Sequence, residues 1–136
     1  MNFVQHIGFN CIDIKKQEAF YRKHFGFKRA KVFNPGPDQF VMLRLGQICL
    51  ELFGGGDAAA PRGEQKVGFK HLAFEVPDIE KAIAGLKADG FEVGDLIDCS
   101  GFIPNMRVCF FKDPEGNILE LMQGFQDDPL AESLPR

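Results

Sequence analysis

The chain has no tryptophan, one tyrosine and three histidines in 136 residues, against 15 phenylalanines. Its four cysteines, Cys11, Cys49, Cys99 and Cys109, are scattered and form no CxxC pair. That argues against a thiolate metal knuckle and against a disulfide framework, and predicts reduced core thiols. No apolar run approaches the roughly 18 residues needed to cross a bilayer, so a membrane role is not expected. The opening MNFVQHIGFN has no basic flank, apolar core and cleavage site of an export signal, which leaves the cytoplasm as the expected compartment. Positive charge is not in surplus either. Sixteen Lys and Arg stand against 19 Asp and Glu, for a net charge of −3, and the cations are dispersed along the chain. A polyanion would find no basic stripe to follow, so nucleic acid is not an expected partner.

What remains is an ordinary globular composition, 45% hydrophobic and 26% charged. Its length suits one domain that buries about two-thirds of the surface its unfolded chain exposes. Within that length the sequence repeats. Laying residue 6 on residue 71 aligns HIGFNCIDIKKQEAFYRKHFGF with HLAFEVPDIEKAIAGLKADGF, Asp13 falling on Asp78. In each copy an alternating strand reaches an Asp suited to an N-cap. A helical stretch follows (Ala19, Phe20, Phe25; Ile79, Ala82, Ile83, Leu86) and ends at a Gly suited to a C-cap. Further strands are predicted near 27–33, 39–45 and 47–53, and near 91–98, 106–112 and 117–123, so the unit is βαβββ. The Asp113-Pro114-Glu115-Gly116 turn joins the last two strands, and it and the two aspartates are assigned to turning and capping alone. The first copy covers about 1–56 and the second about 66–125. A linker at about 57–65 lies in the polar stretch GGGDAAAPRGEQ, and the tail is 126–136. The expected fold is α+β, two βαβββ modules forming a curved mixed sheet with a concave groove.

Strand alternation then sorts the side chains. Ile7, Phe9 and Cys11 oppose His6, Gly8 and Asn10; Ile48, Leu50 and Leu52 oppose Glu51; Leu72, Phe74 and Val76 oppose His71; Leu119 and Leu121 oppose Glu120. The apolar rows must face the helices, so His6, Glu51, His71 and Glu120 face away from them. A lone strand histidine is more often a surface or satisfied core residue, and a lone glutamate is usually only solvated. Two such pairs at equivalent places in a repeat point instead to one divalent metal site. Two imidazoles and two carboxylates offset a dication and leave coordination positions open on Zn, Ni, Co, Mn or Fe(II).

Four pieces, HIGFNCIDIKKQEAFYRKHFGF, ICLEL, GFKHLAFEVPDIEKA and FFKDPEGNILELMQ, resemble the vicinal oxygen chelate superfamily, and within it the glyoxalase I and bleomycin-resistance type. The resemblance runs from His6 to Gln123. It implies that His6, Glu51, His71 and Glu120 are the metal ligands and that Glu120 or Glu51 is also the catalytic base. It implies a lyase or isomerase that removes a proton next to a carbonyl, the cation stabilising the enediolate charge that results. The substrate would be a small molecule of the hemithioacetal or thioester type, and the assembly a homodimer. A Glu at 51 favours glyoxalase I over methylmalonyl-CoA epimerase, which often has Gln there, and fosfomycin-resistance enzymes tend to use three protein ligands. The other alternative is a metal-free ligand-binding protein of the bleomycin-resistance kind.

Two departures bear on the substrate. Asn10 stands where glyoxalase I commonly has a basic residue for a glutathione carboxylate, and Gly55 where it often has Asn. Arg107 and Arg44 are placed by parity on the ligand face, either to hold an anionic group or as rim side chains. Phe40, Phe53 and Phe111 are placed there too, as pocket wall or as core and interface. The segment 99–106, with Phe102, reads first as a connection and second as a lid.

Overall fold

Asp13 and Asp78 begin the two helices as their positions demand. Each has extended backbone, and its side chain accepts the third backbone N–H on, from Lys16 at 3.0 Å and from Lys81 at 3.1 Å. Such a cap is worth about 1 kcal/mol. The computed structural model describes residues 4–33, 40–58, 69 and 71–131. Residues 59–65 of the linker and 132–136 of the tail lie outside them. The chain divides into two compact units, Met1–Lys70 with Asp113–Asn117, and His71–Lys112 with Ile118–Arg136.

In the first unit β1 (His6–Asn10), α1 (Ile14–Phe25), β2 (Lys28–Phe33), β3 (Phe40–Leu45) and β4 (Ile48–Phe53) follow in order. Hydrogen bonding orders the strands β1-β4-β3-β2, with β1 parallel to β4 and the other pairs antiparallel. Gly26, at φ 75°, ends α1 in the left-handed conformation that glycine adopts without strain. The core is Cys11, Phe20, Tyr21, Phe27, Val41, Leu43, Leu50 and Leu52. Burial pushes the Cys11 thiol up to about 12, and all four cysteines are free; Cys11, Cys49 and Cys109 are core thiols as expected, whereas Cys99 is only half-buried.

The buried face of α1 differs from the expected one. Ala19 is exposed, while Gln17 and Glu18 are buried. Polar residues take these positions because each has a partner there. Glu18 accepts from Arg29 through both carboxylate oxygens, the Nη2–Oε2 bond being 2.9 Å, and from Arg22 Nη1 at 3.3 Å. Gln17 Nε2 donates to Asp113 Oδ2 at 2.9 Å. Folding also gathers cations that are dispersed in sequence, since Lys15, Arg22, Lys23, Lys28 and Arg29 line one groove around Glu18.

The Asp113–Asn117 segment does more than turn. Asp113, 4% exposed, accepts from Gln17, from Tyr21 Oη at 2.8 Å and from Asn117 Nδ2 at 2.7 Å, while Glu115 accepts the backbone N–H groups of Ile12 and Asp13 at 2.5 and 3.0 Å. A buried carboxylate is tolerable only when so fully hydrogen-bonded. The segment anchors the β1–α1 junction, which corrects the reading of it as a turn alone.

The second unit contains β5 (Leu72–Glu75), α2 (Ile79–Ala88), β6 (Ile97–Asp98), β7 (Arg107–Lys112) and β8 (Ile118–Gln123), with strand order β5-β8-β7-β6 and β5 parallel to β8. Its core is Phe74, Ile79, Leu86, Val108, Cys109, Phe111, Leu119 and Leu121. The strand expected over 91–98 is reduced to Ile97–Asp98 and one bridge, Val93 to Phe111. Pairing of Ile97 with Val108 is one residue out of step with that bridge, so the ladder breaks between them at a bulge. Among the described residues no helix is long and apolar enough to cross a membrane.

The Arg29 and Arg22 guanidiniums hold the Glu18 carboxyl below its ordinary value. Its protonation in the folded state therefore lags that of the unfolded chain, near pH ~4.3. The pair adds stability at neutral pH, and that contribution drains away as pH falls through the depressed folded value. Glu18→Gln is expected to lower stability at pH ~7 by about 1–3 kcal/mol, and the deficit should shrink toward pH ~3, as read by urea unfolding across that range.

Candidate functional site

In the first unit β4 is central, and its register places Gly8 on one side of Glu51 and Met42 on the other. His6, two residues before Gly8, therefore projects from the same face as Glu51, and His6 Nε2 lies 3.2 Å from Glu51 Oε2. The carboxylate is 13% exposed and the imidazole 47%. Among the described residues a side chain at residue 8 would meet the Phe53 ring, at 3.7 Å. On the other ring nitrogen, His6 Nδ1 lies 2.6 Å from Gln5 Oε1.

The same face carries Asn10, in register with Phe53, and Arg44, in register with Cys49, both as expected from alternation. Phe33, Phe40 and Phe53 stack in a row beside them, at centroid distances of 4.5 and 5.0 Å. They give one flank of the His6–Glu51 face an aromatic wall.

The second unit repeats the arrangement. Ala73 pairs with Glu120 where Gly8 pairs with Glu51, and His71 Nε2 lies 2.8 Å from Glu120 Oε2. Glu120 is 12% exposed and His71 27%. Phe110, opposite Glu120 in the β7–β8 ladder, sets its ring edge-on to His71 at 5.4 Å. Both small residues leave the neighbouring carboxylate unobstructed from the parallel strand.

Two side chains expected on this face are elsewhere. Phe111 pairs with Leu119 in the core and is 5% exposed, and Arg107 donates to Glu80 of α2 at 3.0 Å and to Gln123 at 3.3 Å. The cause is the hairpin. A four-residue Asp113–Gly116 turn would pair residue 112 with 117 and put Cys109 opposite Glu120. The observed connection has one residue more, Lys112 pairs with Ile118, and every β7 side chain changes face. Phe110 is the aromatic that sequence reasoning missed, and the length of this connection was its only signal. Gln5 was missed as well, since an amide beside a histidine forms no recognisable pattern.

The segment 99–106 is a connection closed on itself. Cys99 N–H donates to Met106 O at 2.8 Å, Phe102 N–H donates to Cys99 O at 2.9 Å, and the Phe102 side chain stands exposed.

Held this close, an imidazole nitrogen and a carboxylate oxygen need a proton or a cation between them. Two donors on one first-row dication, each at ~2.1 Å and separated by roughly 90–110°, lie about 3.0–3.4 Å apart. The pair distances of 3.2 and 2.8 Å are near that chord, and the N and O donor types suit such an ion. Among the described residues no third His, Cys, Asp or Glu joins either pair, so each unit presents one imidazole and one carboxylate.

Residues 3–121 match the model of the Glyoxalase/Bleomycin resistance protein/Dioxygenase superfamily. The chain belongs to this superfamily. Among its relatives, Escherichia coli (strain K12) YaeR, an uncharacterized protein, is 31% identical over 88% of this chain and 95% of its own. The metallothiol transferase FosB of Staphylococcus epidermidis is 30% identical over 94% of this chain and 88% of its own. A glyoxalase family protein from Enterococcus faecalis is similar in structure, with a TM-score of 0.73, 31% identity and coverage of 88% and 96%. Such superfamily membership accounts for the βαβββ repeat, whose strand order is the same in both copies.

The face assignment has a measurable consequence. Phe111→Ala should cost about 3–5 kcal/mol in urea unfolding, the cost of emptying a core site. Phe110→Ala, removing a ring only partly buried, should cost clearly less; equal losses would mean the β7 register is wrong.

Proposed function

We propose that this protein is a metal-dependent lyase or isomerase of the glyoxalase I type, working as a homodimer. In this reading His6, Glu51, His71 and Glu120 together hold one divalent ion from the Zn, Ni, Co, Mn and Fe(II) group. The observation that carries it is repetition: each unit aims an imidazole Nε2 and a carboxylate oxygen at one point, beside a small residue on the parallel strand. Chance rarely builds such a pair twice at equivalent places, and among the described residues neither carboxylate pairs with a Lys or Arg.

When bound, the ion supplies positive charge beside the substrate carbonyl and lowers the cost of the negative charge that proton removal leaves. The chain's own residues do the rest. Glu120 or Glu51, each less than one-sixth exposed, takes the proton. His6 and His71 keep the carboxylates in place. Asn10 and Arg44 offer an amide and a cation to the polar end of a hemithioacetal or thioester, and Phe40 and Phe53 an apolar wall to the rest.

A second reading is favoured by the likeness to FosB: thiol transfer at a metal centre. The complete His6–Glu51 pair supports the first, because it offers a fourth ligand that a three-ligand site does not need.

Metal analysis of the purified protein should give about one transition ion per set of two His and two Glu. Glu120→Gln and Glu51→Gln should each weaken the ion by at least ~10-fold and abolish turnover. Assayed against hemithioacetals of several thiols, the wild type should isomerise at least one without consuming free thiol. Stoichiometric thiol consumption would instead select the transferase reading, and metal-free protein that still binds an apolar ligand would overturn both.

A further inference from the structure

We infer that the groove between α1 and β2 is a second binding site, which takes a small molecule bearing linked phosphate groups. Five cations, Lys15, Arg22, Lys23, Lys28 and Arg29, line it around one carboxylate, Glu18, and the space they enclose is about 590 Å³. That is the size of a small-ligand pocket rather than of one ion. The groove is positive on a chain whose net charge is −3, so it is a local feature and not a reflection of overall charge.

Local structure accounts for some of these cations. Arg22 and Lys23 lie in the last turn of α1, where positive charge offsets the negative end of the helix. Arg22 and Arg29 are tied to Glu18. Lys15 and Lys28, by contrast, stand where the fold disfavours them. Lys15 is in the first turn of α1, beside the positive end of the helix, and that turn contains no acidic residue. Lys28 lies directly across the β2–β3 ladder from Arg44, a like-charge pair that costs stability. Among the described residues neither lysine has an ion-pair partner. An anion in the groove would offset both costs.

The two arginines are already aimed. Buried Glu18 accepts from Nε and Nη2 of Arg29 and from Nη1 of Arg22. The Nη1–Nη2 edge of Arg29 and the Nε–Nη2 edge of Arg22 remain for a second acceptor, on side chains 48% and 49% exposed. Each edge is a two-donor fork that matches two oxygens of a phosphate. Ala19 shares the helix face of Lys15, Arg22 and Lys23, three or four residues from each, and its side chain ends at Cβ, which leaves room where a longer one would fill the groove. Five cations over one carboxylate leave a surplus of four positive charges. One phosphate carries about −1.5 to −2 at neutral pH, so two linked phosphates come near to balancing it.

Calorimetric titration with pyrophosphate tests this without reference to the metal reading. At ~0.1 M salt the wild type should bind one pyrophosphate per chain with a Kd below ~1 mM, and more weakly as salt rises. Lys15→Ser combined with Lys28→Ser should weaken binding at least ~10-fold, while Lys16→Ser combined with Lys112→Ser, which removes as much charge from outside the groove, should stay within ~2-fold of wild type. All four lysines are exposed, and urea unfolding checks that each variant is folded. No saturable binding, or equal losses in the two double variants, would overturn the inference. Binding that survives the Lys15 and Lys28 changes but fails in Glu51→Gln would put pyrophosphate at the His6–Glu51 pair and overturn it as well. An oligoglutamate peptide that displaces pyrophosphate and binds more tightly would overturn the small-molecule assignment and give the groove to an acidic protein segment.

Discussion

Parallel pairing of the first strand of each repeat with its last is the constraint on which both His–Glu pairs depend. β1 lies along β4 and β5 along β8, and in each case the residue two places after the histidine sits beside the glutamate. That residue is Gly8 or Ala73. A strand rises about 3.3 Å per residue, so an offset of two residues on one face is within reach of an imidazole. A slip of one residue in either ladder would send the glutamate into the core and leave the histidine without a counterpart. The apolar rows behind the sheets, Leu50 and Leu52 in one unit and Leu119 and Leu121 in the other, prevent that slip because they are almost fully buried.

The polar groups spent on structure are distinct from those aimed at the site. Asp113 is buried and has every lone pair engaged by α1, by Asn117 and by its own loop. Glu18 is buried between two guanidiniums. Glu51 and Glu120 are nearly as shielded, yet among the described residues each meets only a histidine of the ionisable side chains. Carboxylates kept from water without a permanent cation are costly to hold. A protein tolerates that cost where a ligand ion or a substrate proton resolves it.

Several features were legible because they are local. Both N-caps, the glycine that ends α1, the reduced cysteines and strands β2, β3 and β4 follow from short-range patterning, and so do the faces of His6, Glu51, His71, Glu120, Asn10 and Arg44. Others were not. Ala19 was expected to be buried on volume and spacing, but Gln17 and Glu18 took those positions with distant partners, Asp113 on the Gln17 amide nitrogen and Arg29 on Glu18, while Gln17 Oε1 is buried without a partner among the described residues. Arg107 and Phe111 were assigned to the wrong face because one extra residue in the β7–β8 connection reverses the alternation. The contact of Gln5 with His6 has no pattern at all, since it is made by a side-chain amide.

What the sequence determined by itself was the repeat, the order of its elements and the identity of four candidate ligands, because periodicity and duplication are written in residue order. Tertiary structure decided how far each histidine stands from its glutamate, which β7 side chains share that face, and which buried polar groups are satisfied. Those are outcomes of register and long-range hydrogen bonding, where a single added residue or a partner about a hundred positions away changes the answer.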